Sequence, residues 1–499
     1  MADLRSASRR DPRRFARVAI GATAIALALN GCGNGARVHK PASRDLGKSN
    51  RAHEKRERTA REAFAAAAVW SAPLRTDAPV DPRSRQLVAT LLSSVRAQMR
   101  DGTGPALSAA ARAPLYTVGT DVARVPVKLD SGPWAELLRK ELARGVPIPR
   151  DARPSSGADA AMVIWQPSSD TMWEFFLAQQ SLHAPQWIDA PAVSGGGRLQ
   201  PDSYRYAVTA LNANGETTAG PPTGSTPVGG ASGRIKIEWA PIDDAVRYRI
   251  YRASSTTGLR RLATVPARRT RYVDAGARQT DDIAPPTRNT ATTPGQWRAA
   301  YGGVLHAASS GPGHYRDVRN PDGSFLERFN WGASASSLPL AAGMITKDDL
   351  EQGHIDHALA IGLPNLTPST SIIAAGRWAF PAQRSDGKSA ASDAIPEGAR
   401  FRLDPDIDVD RLQLSPFVRM LAKAAQRYGM VVQDGAPATV FYGEDPGPHL
   451  RAGEPNFYDT FVGHRRPGFL DEFPWRHLTL LDTVICTDPT VPCTPRGQR

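Results

Sequence analysis

YRYAVTA at 204–210, RIKIEW at 234–239 and AVRYRIYR at 245–252 are the stretches that decide the fold of this 499-residue chain. In each of them apolar and polar residues alternate, which is the two-residue period of a half-buried β-strand. The polar run NANGE at 212–216 supplies a turn after the first stretch, and Tyr272-Val273-Asp274 continues the alternation. The pattern predicts a small all-β unit whose strands are joined by short turns.

This unit resembles a fibronectin type III-like module of the kind found in secreted bacterial proteins, over residues 185–292. The resemblance implies a two-sheet sandwich in which Trp239, Tyr206 and Tyr248 fill the core. Modules of this kind act as spacers or contact surfaces, so the resemblance implies no chemistry of its own.

The sequence on the two sides of the module forms one further pattern. Its segments are DTMWEF (170–175), WRAAYGG (297–303), GASASSLPLAAGMIT (332–346), PAQRSDG (381–387), IPEGARFRLDP (395–405) and AQRYGMVVQD (425–434). This pattern resembles uncharacterised secreted proteins of soil bacteria over residues 70–184 and 293–480. The resemblance implies one discontinuous host domain, 62–184 plus 293–480, into which the module is inserted at exposed loops. Residues 481–499 are then a C-terminal tail.

Short strands between turn residues dominate the host sequence as well, and glycine (43) and proline (42) occur throughout the chain. Amphipathic helical spacing is clear in two places, residues 133–143 and 412–428. The predicted fold class is therefore mainly β. We expect a β-sandwich-type host domain with minor helices, interrupted by a fibronectin type III-like β-sandwich.

The N-terminus carries the features of an export signal. Six arginines and two aspartates in residues 1–17 precede twelve uncharged, mostly apolar residues, 18–29. That run is too short to span a bilayer, which needs about 20 residues. Leu29-Asn30-Gly31-Cys32 resembles the lipobox of bacterial lipoproteins, which implies a signal peptide at 1–31 and lipid on Cys32. We expect a protein anchored to the cell membrane, facing the periplasm or the cell exterior; a plain secretory signal is the alternative.

The net charge of +13 is concentrated at the N-terminus. Residues 1–61 carry 15 Lys and Arg and 5 Asp and Glu, whereas the remaining chain carries 47 and 44. The excess therefore belongs to the signal and to residues 32–61, whose polar composition predicts a disordered basic tether. A folded nucleic-acid-binding face is not indicated, and the predicted partners are the membrane, through Cys32, and a polysaccharide.

Three cysteines are present, and lipid on Cys32 leaves Cys486 and Cys493. An oxidising compartment favours their pairing, which would fix the C-terminal tail. Two thiols that stay reduced in a mobile end are the alternative. No Cys/His spacing suited to zinc occurs in the sequence.

Two constellations are candidates for a glycan-binding or catalytic site. Hydrolysis of a glycosidic bond needs two carboxyl groups about 5–5.5 or 6.5–9.5 Å apart. Asp170 and Glu174 share one face of the strand predicted at 171–176, but their Cα atoms would be about 13 Å apart at 3.3 Å per residue. The alternative is that Asp170 caps a turn and Glu174 is a surface residue.

The second constellation is GHIDHALAI at 353–361. His357, with Asp386 or Asp170 as its partner, could act as a general base of near-neutral pKa. The alternative is a hydrogen-bonded core histidine. Trp173 and Trp331 complete the candidate set as sugar-stacking residues.

The alternating aspartates Asp404, Asp406, Asp408 and Asp410 suggest calcium, but Val409 and Ser415 stand where an EF-hand needs Gly and Glu. No cofactor is therefore predicted. The motifs GxSxG, HExxH, Walker A and GxGxxG are absent from the sequence.

These features leave two hypotheses. The first is a surface-tethered protein that binds and cleaves extracellular polysaccharide, as a hydrolase or a lyase. The second is a non-catalytic adhesive or structural surface protein, which the absence of specific catalytic motifs favours.

Overall fold

The computed structural model describes most of the chain after the predicted tether. The described residues are Phe64, 69–130, 135–185, 188–193, 195–230, 233–277, 282–315, 331–462, 468–488 and 491–495. The predicted signal peptide, the tether and Cys32 lie outside them. Among the described helices, none combines the length and the apolar character needed to cross a membrane.

The described chain is mainly β, as its sequence predicts. Its helices are α1 (Ser84–Asp101), α2 (Glu136–Ala143), α3 (Lys347–Gln352), α4 (Pro416–Arg427), α5 (Gly447–Arg451) and α6 (Phe457–Val462). The strands before the module are β1 (Ala106–Ala113), β2 (Leu115–Thr117), β3 (Val127–Leu129), β4 (Met162–Gln166) and β5 (Thr171–Phe176). Those of the module are β6 (Ile188–Asp189), β7 (Ala192–Val193), β8 (Asp202–Leu211), β9 (Thr226–Val228), β10 (Arg234–Trp239), β11 (Arg247–Ala253), β12 (Arg260–Pro266) and β13 (Arg271–Asp274). The strands after it are β14 (Trp297–Ala299), β15 (Tyr301–His306), β16 (Leu359–Pro364), β17 (Ile373–Ala379), β18 (Ile395–Glu397), β19 (Arg400–Leu403), β20 (Met430–Ala436), β21 (Val440–Glu444), β22 (Leu478–Leu480) and β23 (Ile485–Cys486).

The largest sheet has six strands in the order β1-β21-β16-β20-β19-β22. Alternate residues of β16 point to opposite faces, as in any strand. Leu359 and Ile361 pack with the apolar sides of α1 and α4 in one hydrophobic core. Ala358 and Ala360 belong to a second core on the other face, with Trp70 and Trp378. Because both faces are covered, this sheet is the centre of the larger unit.

Strands on the two sides of the module share sheets. β5, which precedes the module, pairs antiparallel with β15, which follows it. β3 and β14 pair in parallel, and β1 pairs in parallel with β21. The chain therefore leaves the larger unit and returns to it at neighbouring strands.

The module consists of two packed sheets. One contains β13-β10-β6, with β7 also on β10, and the other has the order β12-β11-β8-β9. Its hydrophobic core is drawn from residues between Leu182 and Ala291 and includes Trp239, Tyr206 and Tyr248. These three side chains fill the sandwich as the resemblance implies, and membership of the fibronectin type III group stays a prediction.

A buried ion pair joins the module to the larger unit. Arg298 of β14 has no exposed surface and donates to both carboxylate oxygens of Asp130, at 2.6 and 2.9 Å. It also donates to Asp244 in the module at 2.8 Å, and His183 contacts Asp130 at 2.7 Å. Burial raises the pKa of Asp130, but the hydrogen bonds and charges of His183 and Arg298 outweigh it and leave this pKa below its usual value. One guanidinium therefore holds both units together.

The first continuous segment that the structure describes is held against the central sheet. The Trp70 side chain is fully buried, and its indole nitrogen donates to the carbonyl of Gly313 at 2.9 Å. The Ala358 amide donates to the Trp70 carbonyl at 2.7 Å, and Arg400 donates to the Val69 carbonyl at 2.8 Å. We call residues 69–75 the N-terminal arm.

Cys486 and Cys493 form the predicted disulfide, with their Cα atoms 5.8 Å apart. Cys486 lies in β23, which pairs with β17. Both cysteines pack in the core on the arm side of the central sheet. The beginning of the predicted tail is thus part of the larger unit.

Candidate functional site

Three acidic side chains that are distant in the sequence meet at one end of the central sheet. Asp386, Glu397 and Asp434 each place one carboxylate oxygen within 4.8 Å of the other two. No other group of three or more Asp, Glu, His or Cys in the described chain has this spacing. We call these three residues the carboxyl cluster.

Asp434 reaches the cluster because of a β-bulge in β20. Ile361 of β16 pairs with Val432 and Gly362 pairs with Asp434, so Gln433 has no partner on β16. A bulge changes the face to which the following side chain points. Val432 therefore packs in the core beneath the helices, whereas Asp434 lies 3.6 Å from Arg112 on the opposite face.

The sheet positions two neighbours of Asp434 as well. Arg112 of β1 stacks over the ring of Tyr442 of β21, 4.0 Å from its centroid. Its Nη2 atom donates to the side-chain oxygen of the bulged Gln433. The Gln433 nitrogen donates in turn to the carbonyl of Pro339 at 2.6 Å. This buried network fixes Arg112 beside the cluster.

Asp386 lies in the loop between β17 and β18. Asn365, at the end of β16, donates from its side-chain amide to Asp386 Oδ1 at 2.8 Å. Lys388 donates to the carbonyls of Asn365 and Leu366 at 2.7 and 3.1 Å, which closes the loop against the end of β16. Asp386 is half-buried and is accessible from solvent.

Glu397, at the end of β18, has no exposed surface. Its Oε2 atom accepts a hydrogen bond from the Asp386 amide at 3.2 Å. Its Oε1 atom has no hydrogen-bond partner among the described residues, and neither has the buried Nε atom of Arg112. An unpaired buried polar atom costs about 1–3 kcal/mol, so both atoms call for a polar ligand or water.

The cluster retains protons more strongly than ordinary carboxyl groups do. Burial raises the pKa of Asp434 to about 7, and the neighbouring carboxylates of Asp386 and Asp159 add to this effect against Arg112. Burial raises the pKa of Asp386 to about 6, with Lys388 and Arg384 opposing it. The pKa of Glu397 lies well above its usual value, because of burial first and then of Asp386 and Asp434. Near neutral pH the cluster therefore holds both protonated and ionised carboxyls.

The spacing of the three oxygens would also admit a hard divalent cation, for which carboxylates are the usual ligands. Positive charge is already present there, however. Arg112 lies 3.6 Å from Asp434, and Lys388 and Arg384 lower the pKa of Asp386. These cations would compete with a metal ion for the carboxylates.

The three acids of the cluster differ in their exposure. The side chain of Asp434 is 21% exposed, whereas Glu397 is completely enclosed. Leu366, whose carbonyl accepts a hydrogen bond from Lys388, is 38% exposed. A ligand would thus meet Asp386 and Asp434, with Glu397 behind them.

Asp170 and Glu174 lie on strand β5 and its preceding turn, as predicted, but they have separate partners. Asp170 accepts from the Ser309 amide at 2.7 Å and from the Ser310 hydroxyl at 3.1 Å, so it fixes a loop. Glu174 is buried and accepts from the amides of Ala333 and Leu340 at 2.8 and 2.6 Å. The expectation of a surface position for Glu174 is therefore wrong.

Arg384 lies between Glu174 and the carboxyl cluster. Its guanidinium donates to the carbonyls of Ala335 and Ser334 at 3.0 and 2.8 Å, and the charges of Glu174, Glu397 and Asp434 all act on it. Burial nonetheless lowers the pKa of Arg384. Glu174 is thus not part of the carboxyl cluster. It interacts electrostatically with Arg384, which in turn interacts with Glu397 and Asp434.

His357 pairs with a different residue from either partner considered in the sequence. Its Nε2 atom lies 3.2 Å from Asp349, and its Nδ1 atom lies 2.9 Å from the Ala358 carbonyl. Both atoms face acceptors, so the ring is held as a doubly protonated donor. The pairing raises its pKa against the effect of burial. This geometry suits a protonated histidine that stabilises the fold through Asp349 and the Ala358 carbonyl.

The remaining candidates are structural in this conformation. Trp173 and Trp331 are 4% and 3% exposed and pack in one hydrophobic core, so neither ring presents a face to a ligand. The aspartates at 404–410 cap turns: Asp408, for example, accepts from the Asp410 amide at 3.1 Å.

Sequence reasoning found Asp386 but missed Glu397, Asp434, Arg112, Tyr442 and Asn365. A signal was present, because each acid of the cluster is followed by glycine: Asp386-Gly387, Glu397-Gly398 and Asp434-Gly435. A Cβ on these glycines would lie 2.2 Å from the Ala374 oxygen, 1.8 Å from the Ala379 oxygen and 2.8 Å from the Asn365 side chain. Only glycine permits these close approaches, which bring the acids together.

No family model matches the chain, and a search of curated proteins found no match.

Proposed function

We propose that this protein is an exported, membrane-anchored protein that binds extracellular polysaccharide and hydrolyses its glycosidic bonds at Asp386 and Asp434. The observation that carries the proposal is the carboxyl cluster, whose oxygens lie within 4.8 Å of one another. Retaining glycosidases hold two carboxyl groups about 5–5.5 Å apart, whereas inverting ones need about 6.5–9.5 Å. The spacing favours retention.

The different environments of the two accessible acids assign their roles. With a pKa of about 7, Asp434 carries a proton in weakly acidic solution and acts as general acid. With a pKa of about 6, Asp386 is mostly ionised at pH 7 and acts as nucleophile. Because the two groups interact, these values describe the pair as a whole.

The reaction has two steps. Asp386 attacks the anomeric carbon while Asp434 gives its proton to the leaving oxygen, so the glycosidic bond breaks and a glycosyl ester forms. Water then attacks the same carbon, Asp434 takes a proton from it, and Asp386 leaves as carboxylate. The sum is the addition of one water across one glycosidic bond, with the anomeric configuration retained.

The surroundings of the cluster suit a hydroxyl-rich ligand. Arg112 Nε is a buried donor and Glu397 Oε1 a buried acceptor, and neither has a partner among the described residues. Both atoms lie behind Asp386 and Asp434, and a hydroxyl-rich ligand meets these two acids, whose carboxyl groups can accept and, when protonated, donate hydrogen bonds. The predicted export signal and the lipid on Cys32 support an extracellular polymer as the substrate.

The full-length protein, purified in detergent, tests the proposal against a panel of soluble polysaccharides. New reducing ends should appear with the wild type, and should fall at least about 100-fold in D386N and in D434N, as removal of an acid–base group does. D408N, which neutralises an exposed aspartate outside the cluster, is the matched control and should be fully active. Proton NMR of the first product should show the retained anomer.

Two results would overturn the proposal. One is the absence of both binding and cleavage across the panel, and the other is cleavage that persists in D386N and D434N. Binding without cleavage would assign the protein to the non-catalytic adhesive class. EDTA should leave the rate unchanged, because the cluster acts through protons.

A further inference from the structure

We infer that an exposed arginine cluster on the module binds acidic polysaccharide, meaning a polymer that bears carboxylate or sulfate groups. The cluster consists of Arg247, Arg268, Arg269 and Arg271. The inference deepens the proposed function, on which its choice of a glycan partner rests, because it names the chemical class of polymer. It concerns a second surface, separate from Asp386 and Asp434.

The backbone brings the four arginines together. Arg247, at the start of β11, pairs with Pro266, the last residue of β12. The turn that follows carries Arg268 and Arg269, and it is closed by hydrogen bonds from Ala267 to Val246 and from Arg269 to Pro266, at 3.1 and 2.9 Å. Arg271 then begins β13.

All four side chains are exposed, and none forms a hydrogen bond or ion pair with the described residues. The nearest acid across the sheet from Arg271 is Glu238, which Lys236 engages at 2.9 Å. By contrast, Arg252 and Arg260 of the same module pair with Asp274 and Asp282. The positive charge of the cluster is therefore not balanced within this part of the chain.

The four positive charges repel one another, and a polyanion that contacts several of them at once relieves this repulsion. The planar guanidinium donates two parallel hydrogen bonds to a carboxylate or sulfate, which favours these groups over neutral hydroxyls. Two large apolar side chains are strongly exposed beside the cluster: Val246, at 54%, and Val273, two residues beyond Arg271, at 47%. A surface that inserts into a membrane would need more apolar area, so we assign the cluster to a soluble polymer.

The experiment measures binding of the full-length protein to fluorescently labelled polygalacturonate, with neutral dextran and anionic phospholipid vesicles in parallel. R268Q/R269Q should raise the Kd for polygalacturonate about tenfold, because two charge-assisted contacts are lost, and should weaken the dependence of this Kd on salt. R205Q, which removes an exposed arginine of β8 outside the cluster, is the control and should leave the Kd unchanged. The Kd for dextran should not respond to either substitution.

An unchanged Kd for polygalacturonate in R268Q/R269Q would overturn the inference. Binding to the anionic vesicles that is tighter than binding to polygalacturonate, and that R268Q/R269Q abolishes, would also overturn it. That result would make the cluster a membrane contact. Cleavage assays separate the two proposals: R268Q/R269Q should still cleave short oligosaccharides at the wild-type rate. A protein that binds polygalacturonate through the arginines but cleaves nothing would refute the proposed hydrolysis alone.

Discussion

Gly362 and Tyr442 lie on neighbouring strands so close to each other that a Cβ on Gly362 would be 2.4 Å from the Tyr442 hydroxyl oxygen. The Tyr442 ring supports Arg112, and Arg112 lies 3.6 Å from Asp434. A side chain at position 362 would therefore act on the carboxyl cluster through two residues in van der Waals and electrostatic contact.

We expect G362A to displace Tyr442 and Arg112, to lower the rate of polysaccharide cleavage, and to reduce stability by about 1–3 kcal/mol, as overpacking does. Urea unfolding and the cleavage assay measure the two effects. G224A is the control, because a Cβ there meets nothing within 4 Å. Wild-type activity in G362A would show that the Tyr442 position does not matter.

The raised pKa values of the cluster make stability depend on pH with a definite sign. Between about pH 4 and 7 the folded state binds more protons at Asp386 and Asp434 than the unfolded state does, whose aspartates ionise near 3.9. The free energy of unfolding should therefore fall as pH rises through this window, and level off above it. D434N removes one of these groups. The total fall in the free energy of unfolding over this window should therefore be about 2–4 kcal/mol smaller than in the wild type. Denaturation series at several pH values would reveal it, and an unchanged slope in D434N would contradict the assignment.

The same pair sets the pH dependence of cleavage. Activity should require Asp386 ionised and Asp434 protonated, so kcat/KM should be greatest between about pH 6 and 7. It should fall below pH 6 as Asp386 takes a proton, and above pH 7 as Asp434 loses its own. A profile that rises steadily from pH 5 to 9 would exclude Asp434 as general acid.

Arg298 should be the residue on which the attachment of the module depends most. R298A leaves Asp130 buried without its guanidinium, and breaking such a pair costs about 3–5 kcal/mol. Urea unfolding measures this loss. K236A removes the exposed pair with Glu238 and should lower the free energy of unfolding by less than about 1 kcal/mol. Equal losses in R298A and K236A would mean that the buried pair stabilises the protein no more than the exposed one.

The disulfide closes a short loop, because its two cysteines are seven positions apart in the sequence. Chain-entropy arguments give about 2–3 kcal/mol for a loop of this length. C486S/C493S should therefore lower the free energy of unfolding by about that amount without affecting cleavage, since neither cysteine touches the cluster. A loss of activity at full stability would place the tail in the site.

Much of the fold could be read from local patterns, because alternation in 204–210 and 234–239 depends only on which side of a strand is buried. The helix predicted at 412–428 forms over Pro416–Arg427, where Phe417, Leu421 and Ala424 face the core. The disulfide also followed from the cysteine content. These features are set by residues close together in sequence or by composition.

The candidate site was harder to predict, because it depends on register. Asp434 looks like a residue at the end of a buried strand, and only the bulge at Gln433 turns it toward Asp386. Glu397 and Asp386 are brought together by close approaches of β17 that no spacing in the sequence reveals. His357, conversely, was a candidate because histidine is a common general base. Its partner in the structure is Asp349, which belongs to the capping box of helix α3.

The N-terminal arm determines where tension from a membrane anchor would act. If lipid holds Cys32, a pull on that residue would act on the N-terminal arm, where Arg400 donates to the Val69 carbonyl and the Ala358 amide donates to the Trp70 carbonyl. The load then passes into β16 and β19, the middle of the largest sheet. A polymer bound to the arginines would pull on the module instead, and that force can reach the anchor only through the connections between the module and the larger unit, of which the contact of Arg298 with Asp244 is one.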